Sequence, residues 1–110
     1  MTGATQGPLA GRHAVVTGGS RGIGLAIAQA LADAGASVTL MARDAARLDS
    51  AAGELRAIAT ARRVLAVTVD VADEASVNAA FAVARDANGA IDILVNNAGV
   101  NDGVGLEHGD

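Results

Sequence analysis

The sequence predicts an α/β fold with a parallel sheet between two layers of helices, because two periodicities alternate along the chain. Short apolar runs rich in β-branched residues are expected to be strands buried on both faces. They cover residues 13–17, 37–41, 64–70 and 91–96. Between them, apolar residues recur at three- and four-residue steps, which predicts helices over 22–34, 45–60 and 74–88. The order βαβαβαβ implies right-handed crossovers and a doubly wound sheet.

The ends of the helices carry the residue types that usually mark them. Asp44 and Asp73 directly precede the second and third helices and are expected to be their N-caps. Gly35 is expected to end the first helix, and the pair Asn88-Gly89 the third.

The composition excludes several classes of function. The net charge is −4, with no basic stripe, which argues against nucleic-acid binding. Cysteine is absent, and no His, Asp and Glu residues have the spacing of metal ligands, so we expect no metal site. The chain shows no signal peptide and no apolar run that could span a bilayer. We therefore expect a cytoplasmic protein that does not bind membranes.

The stretch TGGSRGIG, from Thr17 to Gly24, places a glycine-rich turn between the first strand and the first helix. Gly18 allows a tight turn, Gly22 lets a phosphate approach the backbone, and Gly24 lets helix and strand pack closely. The N-terminus of the helix then offers unpaired N–H groups to an anion. The spacing differs from G-x-G-x-x-G, and the chain has no lysine, which excludes a P-loop.

Three motifs in this order resemble the classical short-chain dehydrogenases/reductases. Residues 17–24 are similar to the T-G-x-x-x-G-I-G cofactor loop, Asp70-Val71 to the adenine-contacting position, and residues 96–99 to the N-N-A-G segment of that family. The resemblance covers residues 12–99. It implies an incomplete Rossmann-type sheet of strand order 3-2-1-4 and an oxidoreductase that exchanges a hydride with a nicotinamide cofactor.

The resemblance also implies which residues bind the cofactor. The loop that holds the pyrophosphate and the adenine ribose comprises Gly18, Gly19, Ser20, Arg21, Gly22, Ile23 and Gly24. Asp70 would accept a hydrogen bond from the adenine amino group, with Val71 packed beside the ring. Asn97, Ala98 and Gly99 would line the path to the nicotinamide ribose. Alternatively, the asparagines at 96 and 97 satisfy backbone groups in a turn.

The end of the second strand indicates which dinucleotide is preferred. Enzymes that use NAD place an acid there, whereas enzymes that use NADP place an arginine. The acidic position falls on Ala42 and is followed by Arg43, while Asp44 is expected to be a helix cap. Arg21 adds a second guanidinium group on the same side. The sequence thus favours NADP(H), with NAD(H) possible; alternatively, Arg43 is only a solvated surface residue.

No catalytic residue is assigned. In the family that the chain resembles, a tyrosine and a lysine, assisted by a serine, handle the proton, but this chain has neither tyrosine nor lysine. Asp33 and Asp92 are expected to be solvated turn or helix-end residues, and His108 has no identifiable partner. We therefore expect an N-terminal fragment that is inactive alone, its small carbonyl or alcohol substrate being bound only in a full-length form. The alternatives are a non-catalytic module that binds or senses NADP(H) and, less well matched, a methyltransferase that binds S-adenosylmethionine.

The expected organisation is a disordered tail over 1–11, an NAD(P)-binding half-domain over 12–99, and the truncated start of a catalytic half over 100–110. The strand order 3-2-1-4 would leave strand 91–96 as an apolar edge, which predicts possible self-association. Two parts of the sequence indicate different substrates. Residues 12–96 are most similar to 3-oxoacyl-(acyl-carrier-protein) reductases, whereas residues 100–106 resemble sugar dehydrogenases of the L-fucose type.

Overall fold

The computed structural model describes residues 7–58 and 63–97, and in this part of the chain it contains all seven predicted elements. In chain order they are β1 (His13–Thr17), α1 (Gly22–Asp33), β2 (Ser37–Ala42), α2 (Ala45–Arg56), β3 (Val64–Thr68), α3 (Glu74–Asn88) and β4 (Ile93–Asn96). Helix α2 ends four residues before the predicted boundary, with Ala57 as its C-cap. Strand β3 ends at Thr68, two residues before the predicted boundary, and the N–H of Asp70 is bonded to Ser76 Oγ rather than to a neighbouring strand.

The four strands form one parallel sheet of order β3-β2-β1-β4, which confirms the predicted topology. Strand β1 is central: Val15 pairs with Thr39 of β2 on one side and with Leu94 of β4 on the other. All five residues of β1 are buried. Strand β4 lies at the edge, and Leu94 is 55% exposed. Self-association through this edge stays a prediction.

Successive residues of β1 point to opposite faces of the sheet, and each face has its own apolar cluster. Val16 belongs to the cluster formed with α1 and α2, which contains Leu48 and Leu55. Val15 belongs to the cluster formed with α3, which contains Ala80 and Ala84. Helices therefore cover both faces of the sheet, as the βαβαβαβ order requires.

The helix ends follow the predicted chemistry at α2 and α3. The Asp44 carboxylate accepts a hydrogen bond from the N–H of Arg47 at 3.1 Å. The Asp73 carboxylate accepts from the N–H groups of Ala75 and Ser76. Gly35, at φ 98°, follows the last turn of α1, where its N–H donates to the carbonyl of Ala32.

Residues 7–11, which the sequence placed in the tail, form a turn against the end of α1. The N–H of Leu9 donates to the carbonyl of Ala34 at 2.8 Å, and the Leu9 side chain packs on the cluster of α1 and α2. Contacts with the fold therefore begin before the predicted boundary at residue 12. Residues 1–6 and 98–110 lie outside the described residues. None of the described helices is long and apolar enough to cross a membrane.

A buried polar cluster lies at the amino edge of the sheet. His13 is 1% exposed; its Nδ1 lies 2.9 Å from the carbonyl oxygen of Gly89, and its Nε2 lies 2.8 Å from Thr39 Oγ1. Because a carbonyl only accepts, Nδ1 carries the proton toward Gly89. The amide of Asn88 also donates to Thr39 Oγ1 at 3.2 Å. The cluster fixes the end of α3 to β1 and β2, at the opposite edge from the predicted site.

Candidate cofactor-binding site

The carboxyl edge of the sheet brings together the predicted site residues that the structure describes. The glycine-rich loop follows β1, Arg43 follows β2, Asp70 follows β3 and Asn97 follows β4. Because the strands are parallel, their carboxyl ends meet at one edge, where open α/β sheets bind ligands. Ala98 and Gly99, the other two predicted residues, lie outside the described residues.

The glycine-rich loop has a backbone path that few other residues could follow. Gly18 and Gly22 have φ values of 70° and 62°, in the left-handed region that favours glycine. A Cβ atom at Gly24 would overlap the carbonyl of Gly18 and lie 2.6 Å from Asn97 Nδ2. A Cβ atom at Gly19 would lie 2.8 Å from Cδ2 of Leu40. These glycines therefore keep side-chain atoms out of the space between β1 and α1.

The N-terminus of α1 has no side-chain cap. Its N-cap residue, Arg21, has an extended backbone and makes no capping hydrogen bond, and no acid lies in the first turn. The first N–H groups of a helix have no partner within it, which leaves those of Gly22, Ile23 and Gly24 as donors. The N–H of Gly18, by contrast, donates to the carbonyl of Met41 at 2.7 Å. Backbone donors for an anion would thus come from the helix and not from the N–H of Gly18.

Asn97 connects the glycine-rich loop to β4. It is 5% exposed, and its Nδ2 donates to the carbonyl of Gly18 at 3.3 Å. Its backbone N–H donates to Thr17 Oγ1 at 3.1 Å. The Thr17 hydroxyl in turn lies 3.0 Å from Asn96 Oδ1, to which it donates. The contacts described for Asn97 match the alternative in which asparagines satisfy backbone groups, and its contact with a cofactor stays a prediction.

A shallow cavity of about 260 Å³ lies beside the ends of β2 and β3. Its lining residues are Arg43, Thr68, Val69, Asp70 and Ser76. The structure thus places Arg43, predicted to bind a 2′-phosphate, and Asp70, predicted to bind adenine, on the walls of one cavity. Val71, expected beside the adenine ring, is 54% exposed.

The neighbouring Asp44 belongs to the helix rather than to this cavity. Besides accepting the N–H of Arg47, its carboxylate lies 3.3 Å from Arg47 Nε. The hydrogen bond from the backbone N–H of Arg47 holds the pKa of Asp44 below its ordinary value. This geometry agrees with the expectation that Asp44 is a cap and does not take the place of a ribose-binding acid.

Two residues of the site, Thr17 and Ser76, were not predicted to belong to it, although the sequence contains a signal for each. Thr17 is the first letter of the cofactor-loop motif, and its hydroxyl bridges β1 and β4. Ser76 lies three residues after the cap Asp73, where hydroxyl side chains often bond local backbone groups. Its Oγ accepts the N–H of Asp70 at 3.0 Å.

Asp92, another polar residue weighed from the sequence, makes structural contacts. Asp92 lies 3.6 Å from Arg12 Nη1, and its other oxygen accepts the N–H of His13 at 2.9 Å. Within residues 7–58 and 63–97, no group of three or more His, Asp or Glu side chains could hold a metal ion. His108 lies outside the described residues.

The described residues fit a dinucleotide. A glycine-lined loop without Cβ atoms leads into an uncapped helix N-terminus, which suits a pyrophosphate. The cavity lined by Arg43 and Asp70 adds one cationic and one anionic residue at the same edge of the sheet.

Curated proteins similar to this chain include a reductase and a dehydrogenase that are named for different substrates. The chain is 44% identical over 99 residues to the rhamnolipids biosynthesis 3-oxoacyl-(acyl-carrier-protein) reductase of Pseudomonas aeruginosa, covering 90% of this chain and 38% of that protein. It is also 44% identical over 100 residues to gluconate 5-dehydrogenase of Gluconobacter oxydans, covering 90% and 38%. The chain thus spans just over a third of the length of these relatives.

Solved structures show the same architecture. L-Sorbose reductase from Gluconobacter frateurii, complexed with NADPH and L-sorbose, matches with a TM-score of 0.78 at 47% identity, over 86% of this chain and 35% of that one. An actinorhodin polyketide ketoreductase variant with NADPH matches with a TM-score of 0.75 at 38% identity, over 80% and 33%. A family model described as short chain dehydrogenase matches residues 12–109. The chain therefore belongs to the short-chain dehydrogenase family, and its fold is an incomplete Rossmann-type fold.

Proposed function

We propose that this chain binds NADP(H) at the carboxyl edge of its sheet and forms the cofactor-binding part of a short-chain oxidoreductase. The observation that carries the proposal is the convergence of two features at that edge. The uncapped, glycine-lined N-terminus of α1 supplies donors for a pyrophosphate. The cavity that contains Arg43 and Asp70 supplies a site for the adenosine.

Each part of the cofactor has candidate ligands in the chain. The first-turn N–H groups of α1, with Ser20 and Arg21 in the loop before it, would hold the pyrophosphate. Asp70 and Val71 would bind the adenine. Asn97, Ala98 and Gly99 would lie toward the nicotinamide, with Asn97 also keeping the carbonyl of Gly18 turned into the fold.

The preference for NADP(H) over NAD(H) is part of the proposal. Arg43 directly follows β2, and the acid next to it in the sequence, Asp44, is engaged in capping α2. A guanidinium group gains charge-assisted hydrogen bonds with a 2′-phosphate that a ribose hydroxyl does not offer. L-Sorbose reductase and the actinorhodin ketoreductase were both solved with NADPH, which supports this choice.

When bound, the nicotinamide would supply a hydride to a carbonyl carbon or accept one from an alcohol. This chain's own residues hold and orient the cofactor. The chain contains no tyrosine and no lysine, the residue types to which the family resemblance assigns proton transfer. We therefore expect the 110 residues to bind the cofactor without turnover, and the substrate to be bound in a longer form of the protein. Relatives that act on an acyl thioester and on a sugar acid match equally well, so the substrate class stays open.

Replacing Arg43 tests the cofactor preference. Arg43→Ala should weaken NADPH binding about tenfold, because it removes charge-assisted hydrogen bonds of about 1.5–3 kcal/mol to the 2′-phosphate. The affinity for NADH, measured by calorimetry on the same protein, should change less than twofold. Arg85→Ala removes an equal charge from the exposed last turn of α3 and is the matched control. Equal losses for NADPH and NADH in Arg43→Ala would refute the assignment of Arg43 to the 2′-phosphate.

A further inference from the structure

Ser76 lies in the first turn of α3 and bonds backward to the segment that follows β3. Its Oγ accepts the backbone N–H of Asp70 at 3.0 Å. Its own backbone N–H donates to the Asp73 carboxylate at 3.4 Å, so the cap of α3 fixes Ser76 in place. A rigid helix thus holds the N–H of Asp70 through one hydroxyl group.

The segment from Asp70 to Asp73 also has hydrogen bonds within itself. The carbonyl of Asp70 accepts the N–H of Asp73 at 3.0 Å, and Asp70 Oδ1 accepts the N–H of Ala72 at 3.0 Å. Just before this turn, the N–H of Val69 donates to the carbonyl of Ala42 and ties the chain to β2. The bond from Asp70 to Ser76 then ties the start of the turn to the first turn of α3.

Ser76 also forms part of the wall of the cavity beside β2 and β3, together with Arg43 and Asp70. Arg43 follows β2, whereas Asp70 follows β3 and Ser76 lies in α3. Without the bond to Ser76, the N–H of Asp70 would lose its acceptor, and the turn that carries the Asp70 carboxylate would be held less firmly.

We propose that Ser76 is a positioning residue that sets the cofactor affinity of the adenosine cavity, by holding the turn of Asp70 in the wall of the cavity that Arg43 also lines. This inference rests on the proposed function, since it requires that a dinucleotide bind in this cavity. Adenine is common to NADP(H) and NAD(H), so Ser76 acts on both cofactors alike. Arg43, by contrast, acts on the phosphorylated cofactor alone.

The test measures the affinity of the 110-residue chain for NADPH, NADH and 2′,5′-ADP in four proteins: the wild type, Ser76→Ala, Ser76→Thr and Ser50→Ala. Ser50 is exposed on α2 and serves as the matched control. Removing one positioning hydrogen bond should raise the dissociation constants of all three ligands in Ser76→Ala by a common factor of about three to ten. Ser76→Thr, which keeps the hydroxyl, should restore wild-type affinity, and Ser50→Ala should leave it unchanged.

Amide exchange at Asp70, followed by NMR without any ligand, provides a readout that is independent of cofactor binding. Exchange at this amide should accelerate in Ser76→Ala and return to the wild-type rate in Ser76→Thr. Unchanged dissociation constants in Ser76→Ala, or a loss confined to NADPH, would overturn the proposal even if the wild type binds well. The wild type could instead bind none of the three ligands while exchange at the Asp70 amide changes as expected. That result would overturn the proposed function and, with it, the role of Ser76 in cofactor affinity.

Discussion

The N-termini of α1 and α3 both lie at the carboxyl edge of the sheet, yet they are built in opposite ways. At α3 the Asp73 carboxylate accepts the N–H groups of Ala75 and Ser76, and Glu74 adds a negative charge to the first turn. At α1 the preceding residue is Arg21, no side chain caps the helix, and the first turn has no acid. The chain itself supplies acceptors for the first N–H groups of α3, whereas it leaves the first N–H groups of α1 available to a ligand.

This difference indicates which helix is adapted to an external anion. A positive side chain beside the positive end of a helix dipole is unfavourable by a few tenths of a kcal/mol up to about 1 kcal/mol. An anion bound there would offset that cost and satisfy the N–H groups at once. We therefore interpret the missing cap of α1 as a property of the binding site rather than a weakness of the helix.

The largest expected effect comes from giving α1 the kind of cap that α3 has. Arg21→Asp would place a carboxylate where the pyrophosphate is proposed to bind. It should weaken NADPH binding about a hundredfold, because it removes a positive charge and adds a negative charge beside the pyrophosphate. A hydrogen bond to a charged group contributes about 1.5–3 kcal/mol. Calorimetry measures the affinity, and thermal unfolding checks that the cofactor-free chain is no less stable than the wild type.

Arg21→Gln is the matched control for this substitution, because it removes the charge without adding a cap. It should weaken NADPH binding less than Arg21→Asp does. An affinity for NADPH that is unchanged in Arg21→Asp would contradict the assignment of the α1 N-terminus to the pyrophosphate.

A smaller effect is expected from Gly24→Ala, which tests the close contact between α1 and the loop. The new Cβ would overlap the carbonyl of Gly18, so the backbone must shift. We expect a loss of about 1–3 kcal/mol in the free energy of unfolding, together with weaker NADPH binding. Denaturant titration and calorimetry measure the two quantities.

Gly53→Ala is the control for Gly24→Ala, because a Cβ at Gly53 in α2 would meet no atom within 4 Å. It should stabilise the chain by about 0.5–1 kcal/mol through helix propensity and leave the cofactor affinity unchanged. If Gly24→Ala and Gly53→Ala change the free energy of unfolding in the same direction, position 24 does not require glycine because of its contact with Gly18.

The smallest effect concerns the capped helix α2 and its dependence on pH. The N–H of Arg47 lowers the pKa of Asp44, so the ionised carboxylate favours the folded state. This contribution is fully present above the pKa of Asp44 in the unfolded chain, which is about 4. It is lost as the pH falls through the lower pKa of Asp44 in the folded chain. The wild type should therefore melt at a higher temperature than Asp44→Asn at neutral pH, and the difference should vanish in acid.

The same variant separates the cap from a ribose-binding acid. As a cap, Asp44 can be replaced by Asn without changing the affinity for either cofactor, because asparagine is also a good N-cap. A selective loss of NADH binding in Asp44→Asn would instead show that Asp44 binds the ribose, which would weaken the proposed preference for NADP(H).

The sequence predicted the strands and helices because the two periodicities are strong, and the family resemblance implied the strand order. The centre of strand β1, residues 14–16, is apolar since both faces are buried, and the caps Asp44 and Asp73 stand at the expected positions. Element ends were less predictable. The periodic pattern of α2 extends to residue 60, whereas the helix ends at Arg56, because hydrophobic spacing alone does not specify where the hydrogen bonding of a helix stops.

Side-chain partners were the least predictable part of the site. The spacing of Gly18 and Gly24 indicated a phosphate loop, but the approach of Gly24 to the carbonyl of Gly18 depends on how α1 packs on β1. The bond from Asp70 to Ser76 joins two residues across a turn whose shape is set by other hydrogen bonds. Such contacts depend on three-dimensional placement, which residue types alone do not determine.

Titration of the 110-residue chain with NADPH and with NADH, by calorimetry at one salt concentration, measures directly whether the chain binds the phosphorylated cofactor and prefers it. We expect saturable binding of one NADPH per chain, with an affinity about tenfold higher than that for NADH. No binding at millimolar NADPH, or tighter binding of NADH, would contradict this expectation.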